Sequence, residues 1–147
     1  MISDTHGLLR PAALTALEGV DMILHAGDVG KAYILDELAA IAPVHAVRGN
    51  VDRGPVVGRL PLTYESSFLG HGIYMLHILA DLSADIDLSP CRLLIYGHSH
   101  RPEIRWADQL CYLNPGSAGP RRFSLPVTLA RVQITPQSIH PELISLL

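Results

Sequence analysis

Seven side chains with lone pairs to offer a cation stand at the ends of apolar runs. Asp4 and His6 follow Met1–Ser3, Asp28 follows Val20–His25, and Asn50 follows Pro43–Val47. His77 closes the run from Ile73, and His98 with His100 closes the run from Cys91 to Tyr96. In a bent or extended segment, positions i and i+2 point the same way, so His98 and His100 can present two imidazoles together. Neutral imidazole is the commonest nitrogen ligand, and a carboxylate has two oxygens that two cations can share. Each residue alone has an ordinary use. Asp4, Asp28 and Asn50 can cap helices or shape turns, and His-x-His also occurs at surface turns. The set is another matter, because ligands of α/β sheets gather where strands end. Gly7, Gly27, Gly49 and Gly97 stand beside four of these ends, where backbone must turn close to a ligand. Together the seven point to a metal centre.

The elements that must carry them can be read from periodicity and punctuation. Met1–Ser3 is a strand stub. Pro11 opens a short helix with Leu14 and Leu17 on one face and Gly19 as its stop. Val20–His25 is a strand, Lys31–Ala40 a helix with Ile34, Leu35 and Leu38 on one face, and Pro43–Val47 a strand. The first fifty residues therefore read β-α-β-α-β, the pattern of a parallel sheet covered by helices. Arg53–Arg59 is loop. Leu62–Leu69 and Ile73–His77 are strands joined at Gly70-His71-Gly72. In 78–90, Leu79, Leu82 and Ile86 fit a helical face. Cys91–Tyr96 is a buried strand, Glu103–Trp106 and Leu110–Leu113 a hairpin, Asn114–Pro120 a loop, and Val127–Ile134 and Ser138–Leu146 the last strands. The second half is mainly antiparallel, so two packed sheets with helices outside are expected.

Composition narrows the classes. The 147 residues suit one domain with a proper core, and 48% hydrophobic against 17% charged residues argues against disorder. Mean hydropathy is +0.26 and the pI about 6.2. A net charge of −3 with no basic stripe disfavours a nucleic-acid binder that works by charge. Asp4 and His6 stand too early for a signal peptide, and no apolar run approaches the ~18 residues of a membrane span, so the cytoplasm is the expected compartment and no membrane a partner. Cys91 and Cys111 show no C-x-x-C spacing and read as reduced core thiols.

In this order, D-x-H, G-D, G-N-x-D, H and G-H-x-H, the sequence resembles the calcineurin-like metallophosphoesterases, and within them the small bacterial and archaeal phosphodiesterases. The matching residues are Asp4 and His6, Gly27 and Asp28, Gly49, Asn50 and Asp52, His77, and Gly97, His98 and His100, with Asn114-Pro115-Gly116-Ser117 further on. The resemblance covers nearly the whole chain. It implies an α/β fold, a four-layer αββα sandwich of two packed mixed β-sheets flanked by helices. It also implies two divalent metal ions: Asp4, His6, Asp28 and His100 hold one, and Asp28, Asn50, His77 and His98 the other, with Asp28 between them. A donor set of oxygens and imidazoles suits Mn2+, Fe, Ni2+ or Zn2+ over Mg2+ or Ca2+, with Mn2+ the expected ion on resemblance. Between two such ions a bridging water is acidified to hydroxide and attacks phosphorus in line. The implied partner is a small phosphoester substrate. Asn50, Asp52 and His98 are the expected catalytic group, and association of identical copies stays open.

Several residues have two readings. Asp52 orients a ligand or water, or caps a loop. Arg101 and Arg121 flank the site loops and are placed to contact phosphate, against the ordinary use of arginine on a surface; Arg48 and Arg122 read as surface residues. Gly116 and Ser117 offer backbone N–H groups to an anion or pack against the site. His25 lies near the site and reads as support for a ligand; His71 reads as an exposed turn residue, and His45 and His140 as structural or surface. His77 is followed by Ile78, where relatives show glycine.

Two departures carry expectations. Many members of the wider superfamily place a histidine after the ligand asparagine as general acid; here it is Val51, which has no proton to give. General acid help is worth ~10²–10⁴-fold, so activated aryl diesters are expected to react and alkyl esters poorly. Only Met1, Ile2 and Ser3 precede Asp4, so the first strand is short or the start omits residues, and an apolar extension is expected to raise stability or metal affinity. A metal-dependent phosphodiesterase leads. A phosphomonoesterase on the same site is the second enzymatic reading, and a protein-interaction scaffold of the same fold is the rival from another class.

Overall fold

The computed structural model describes residues 1–147. Pro11 supplies the preset φ of a first helical position and opens α1 (Pro11–Ala16). β1 (Ile23–His25) follows, then α2 (Ala32–Ala39), which buries Ile34 and Leu38 on one face, then β2 (Val44–Ala46). β1 and β2 pair in parallel, with Leu24 opposite His45. The stretch before Asp4 runs alongside them. Ile2 bridges to His25 in parallel, Met1 exchanges hydrogen bonds with Ala130 at 2.8 and 2.9 Å, and Ser3 O accepts from Ala118 N at 3.0 Å. These bonds tie the β1–β2 pair to the hairpin of β8 (Thr128–Ile134) and β9 (Ile139–Ser145), making one layer.

The second layer is a five-stranded mixed sheet in the order β3-β4-β5-β7-β6, built from β3 (Thr63–Phe68), β4 (His71–Leu76), β5 (Cys91–Ile95), β6 (Glu103–Ala107) and β7 (Leu110–Asn114). Its central pairs β4–β5 and β5–β7 are parallel, and its outer pairs are antiparallel. Period-2 alternation sorts the central strands between two faces. Ile73, Met75, Leu93, Ile95, Cys111 and Leu113 face the first layer and pack with Leu24, Ala26, Val47 and Ala130. Tyr74, Leu76, Leu94 and Tyr96 face outward. On the far side of the first layer, Ala13, Leu17, Ile34 and Leu38 of the helical segments pack on Ile2, Ile23 and Leu129. The architecture is therefore α/β, with two packed sheets and α-helices on one flank.

The other flank differs from the helical pattern of 78–90. It holds only a 3-10 turn, Leu79–Asp81, and coil from which Leu79, Leu82, Ile86 and Leu88 still reach the outer face. Asp87 and Ser83 bond locally instead, Asp87 Oδ1 accepting from Ser89 N at 2.9 Å and Ser83 Oγ from Asp85 N at 3.2 Å, and such bonds compete with helix. The β3–β4 turn is also shorter than the glycines suggest. Leu69 (φ 50°) and Gly70 (φ 85°) make a two-residue primed turn, and His71 already pairs with Phe68. His71 is thus half-buried, with a ring nitrogen 2.8 Å from Thr135 O. Cys91 and Cys111 are buried free thiols, and burial pushes Cys111 up to about 11. No helix is long and apolar enough to cross a membrane.

Candidate metal centre

Five of the seven candidate donors sit at left-handed φ: Asp4 (55°), His6 (47°), Asp28 (54°), His98 (70°) and His100 (59°). Each such residue costs on the order of 1 kcal/mol, and such strain gathers at functional sites. Backbone bonds between the site loops hold it. Asp4 N donates to Gly27 O (3.0 Å), His6 N to Asp28 O (2.9 Å), and Gly97 N to His77 O (3.0 Å). The last bond anchors His77 despite Ile78 after it.

Each carboxylate divides its oxygens between scaffold and site. Asp4 Oδ2 accepts from Ser3 Oγ at 2.6 Å and His98 N at 3.1 Å. Its Oδ1 is buried with no hydrogen-bond partner, and stands 3.3 Å from His100 Nε2 and 3.7 Å from His6 Nε2. Asp28 Oδ1 accepts from Val51 N at 3.0 Å. Its Oδ2 stands 3.2 Å from His77 Nε2 and 3.7 Å from His6 Nε2. His77 is oriented by Ala26 O, 2.7 Å from Nδ1, so the Nδ1–H donates there and Nε2 keeps its lone pair for the site. Asn50 Oδ1 lies 3.0 Å from both His77 Nε2 and His98 Nδ1.

These atoms stand close enough together to hold cations in common. Donors ~2.0–2.2 Å from one cation stand about 2.8–3.6 Å apart. His6 Nε2 and His100 Nε2 are 3.2 Å apart, which falls in that range. Asp4, His6 and His100 form one group and Asp28, His77 and His98 a second, each with its donor atoms within 4.8 Å of one another. Asp28 Oδ2, of the second group, also stands 3.7 Å from His6 Nε2 of the first. Asp4 Oδ1 and His100 Nδ1 are the two buried side-chain polar atoms without a partner, and both belong to the first group. An unsatisfied buried oxygen costs ~1–3 kcal/mol, which a cation beside Asp4 would relieve. The donor set therefore fits divalent metal. Electrostatics agree. Burial acts to raise the Asp4 pKa, but the His100 and His6 imidazoles beside Oδ1 and the Ser3 hydroxyl on Oδ2 prevail and hold it well below the usual range. Asp28 is likewise lowered, with burial outweighed by His77 and the Val51 N–H. Burial acts to lower His77, yet Asp28 and Asp4 raise it.

The supporting residues emerge only in three dimensions. A Cβ on Gly49 would collide with Asp28 Oδ1, and one on Gly97 with Ser3 Oγ and Asp4. Asp52 is buried and accepts from Gly49 N (2.7 Å) and Gly30 N (2.9 Å), so it clamps the Asn50 loop to the Asp28 loop and does not face the donors' centre. His25 is fully buried. Gly27 N donates to its Nδ1 (3.1 Å), leaving Nε2–H for Thr5 Oγ1 (3.0 Å), whose own proton goes to Val29 O (2.9 Å). This relay joins the Asp4–His6 loop to the Asp28 loop, and burial brings the His25 pKa down to about 4. Asn114 donates to Gly97 O and Ser99 Oγ, both at 3.1 Å, and accepts from Gly116 N, fixing the loop of His98 and His100. Ser117 is buried and donates to Asp4 O (3.0 Å). The polar groups of Gly116 and Ser117 are thus used inside the protein, away from any anion. Arg101 is exposed beside the site, and Arg121 is exposed with Nε on Leu125 O (3.2 Å). His45 stacks on Tyr64, and His140 bonds Ser138. Ser3 and Thr5 were the residues missed; two short hydroxyls flanking Asp4 in a buried stretch are the signal that marks them.

A sequence model of the calcineurin-like phosphoesterase superfamily domain matches residues 1–137. A probable metallophosphoesterase of Methanothermobacter thermautotrophicus is 35% identical, with 98% of this chain and 90% of the relative covered. Among solved structures, an archaeal phosphodiesterase superposes with a TM-score of 0.79 at 19% identity, covering 97% of both chains. Vps29 of Entamoeba histolytica complexed with Zn2+ superposes at 0.76 and 20% identity, covering 99% of this chain and 97% of that one. At such identities the two structures speak for the fold alone.

Proposed function

The chain belongs to the calcineurin-like phosphoesterase superfamily, and on that premise we propose that it hydrolyses phosphodiesters with two divalent cations, Mn2+ foremost. The observation that supports this is the position of Asp28 Oδ2, 3.2 Å from His77 Nε2 of its own group of donors and 3.7 Å from His6 Nε2 of the other. Asp4, His6, Asp28 and His100 would hold one cation, and Asp28, Asn50, His77 and His98 the other. Cations held there would acidify a water and neutralise charge at phosphorus. The protein's own residues do the rest. The scaffold bonds to Asp4 Oδ2 and Asp28 Oδ1 aim the opposite oxygens inward, and Ala26 O fixes the His77 tautomer. Asn50 Oδ1 and His98, at the exposed rim, face the incoming ester.

Val51 favours diesters with good leaving groups. The residue is 46% exposed at the rim, where a proton donor for the leaving oxygen would stand, and its side chain has no proton to give. The scaffold reading rests on fold likeness alone, whereas the full set of donors supports catalysis. The test is turnover of bis(p-nitrophenyl) phosphate by chelator-stripped protein after Mn2+ is returned, with p-nitrophenyl phosphate beside it. Turnover that favours the diester is expected, with loss in Asn50→Ala. A rate favouring the monoester would replace the reading with a monoesterase, and no turnover with metal bound would favour the scaffold.

A further inference from the structure

A cavity of about 460 Å3 opens beside the second group of donors, and Asn50 and His77 form one of its walls. Leu62, Leu76 and Ile78 give it apolar surface, and Arg48, Arg53 and Asp81 give it charge. The arginines are far from saturated. Arg48 is half-buried, and only its Nη1 is engaged, on Gly58 O at 3.1 Å. Arg53 folds back over the turn, with Nη1 on Asn50 O (3.3 Å) and Asp52 O (3.5 Å). A guanidinium has five N–H donors. Neither arginine has a carboxylate within ion-pair distance; the one Arg–carboxylate pair of the chain is Arg105–Glu103. So two cationic forks, opposed by the single carboxylate Asp81, stand in the cavity that adjoins the candidate phosphoryl site.

We propose that this cavity receives the second arm of a phosphodiester, and that the arm carries its own anionic group, a phosphoryl or carboxylate. The inference rests on the phosphodiesterase reading and adds a substrate class to it. Guanidinium groups bind planar oxyanions through paired charge-assisted bonds, and part of each fork remains free to do so. The apolar wall accommodates the carbon skeleton between the two anionic centres, while Asp81 works against the second charge and limits the preference.

The test uses two p-nitrophenyl phosphodiesters that differ only at the end of the second arm, a carboxylate in one and its primary amide in the other. With Mn2+-loaded protein, kcat/KM should favour the carboxylate by about tenfold, the size of one partly exposed charge-assisted bond. The ratio should fall towards one in Arg48→Met/Arg53→Met and rise in Asp81→Asn. A ratio within about twofold of one in the unaltered protein, or one that survives in the double variant, would overturn the proposal. If no diester is turned over, the phosphodiesterase reading fails. Calorimetric titration of chelator-treated protein with the same pair then decides the cavity by itself: tighter binding of the carboxylate ester supports it, and equal binding overturns it.

Discussion

Replacing His25 with leucine removes the relay between two donor loops while leaving every candidate ligand in place. In the native protein Gly27 N–H reaches Nδ1 at 3.1 Å and Nε2–H reaches Thr5 Oγ1 at 3.0 Å, in a site with no solvent exposure. Leucine leaves a buried Gly27 N–H unpaired, worth ~1–3 kcal/mol, and loses a second bond worth ~1 kcal/mol. The sum is about 2–4 kcal/mol. At ~2.1 cal/mol/K per residue, unfolding of 147 residues carries ~0.3 kcal/mol/K, so Tm should drop by roughly 6–13 °C at pH 7.5. The pH dependence identifies the cause. Burial lowers the His25 pKa from 6.5 to about 4, so the folded form holds the ring neutral. Between those values the unfolded chain binds the proton and the folded chain does not. The native protein must therefore lose stability as pH falls through this window, by about 3 kcal/mol at its lower end. His25→Leu lacks that loss, and the gap between the two should shrink towards zero near pH 4. His25→Asn, whose amide oxygen can replace Nδ1 as acceptor, should recover part of the difference at pH 7.5. Chemical denaturation of both proteins in chelator from pH 7.5 to 4 is the assay. A gap that stays constant or widens as pH falls would refute the neutral relay.

Gly49→Ala sets a Cβ against Asp28 Oδ1 and Asp28 N; competition with a chromophoric chelator should show Mn2+ affinity reduced by tenfold or more, and native affinity would contradict the steric account. Asn114→Ala frees Gly97 O, Ser99 Oγ and Gly116 N, and urea denaturation should register a loss of about 2–3 kcal/mol. Val51→His adds a proton donor at the rim, so the ratio of alkyl to aryl diester turnover should rise by ~10-fold or more; an unchanged ratio would show that leaving-group protonation does not limit the reaction.

Much of the scaffold was legible because local rules and tertiary packing agree. Apolar runs ending in glycine became β1, β2 and β5, and the donors fell at their ends because strand ends are where backbone is free to turn. The helical reading of 78–90 failed because periodicity records only that Leu79, Leu82 and Ile86 face one way, which a coil held by local side-chain bonds satisfies equally. The hairpin centred on Gly70-His71-Gly72 was misplaced by a residue, since Leu69 takes the left-handed conformation a glycine was expected to hold. What sequence could not show is contact across distance. The tautomer of His77 is set by Ala26, far along the chain, and the Nε2–H of His25 finds its acceptor at Thr5 on another loop. Arg48 reads as a surface residue and Arg53 only as part of a loop until Thr63 of β3 and Leu76 of β4 line a cavity with them.

In the proposed site seven donors would hold two cations through a shared Asp28. The most direct measurement is the number of Mn2+ ions bound per chain by chelator-stripped protein at equilibrium dialysis, beside Asp28→Asn. Two ions per chain, falling to one or none in the variant, is the expected result. A single ion in the unaltered protein, or two that persist in Asp28→Asn, would contradict it.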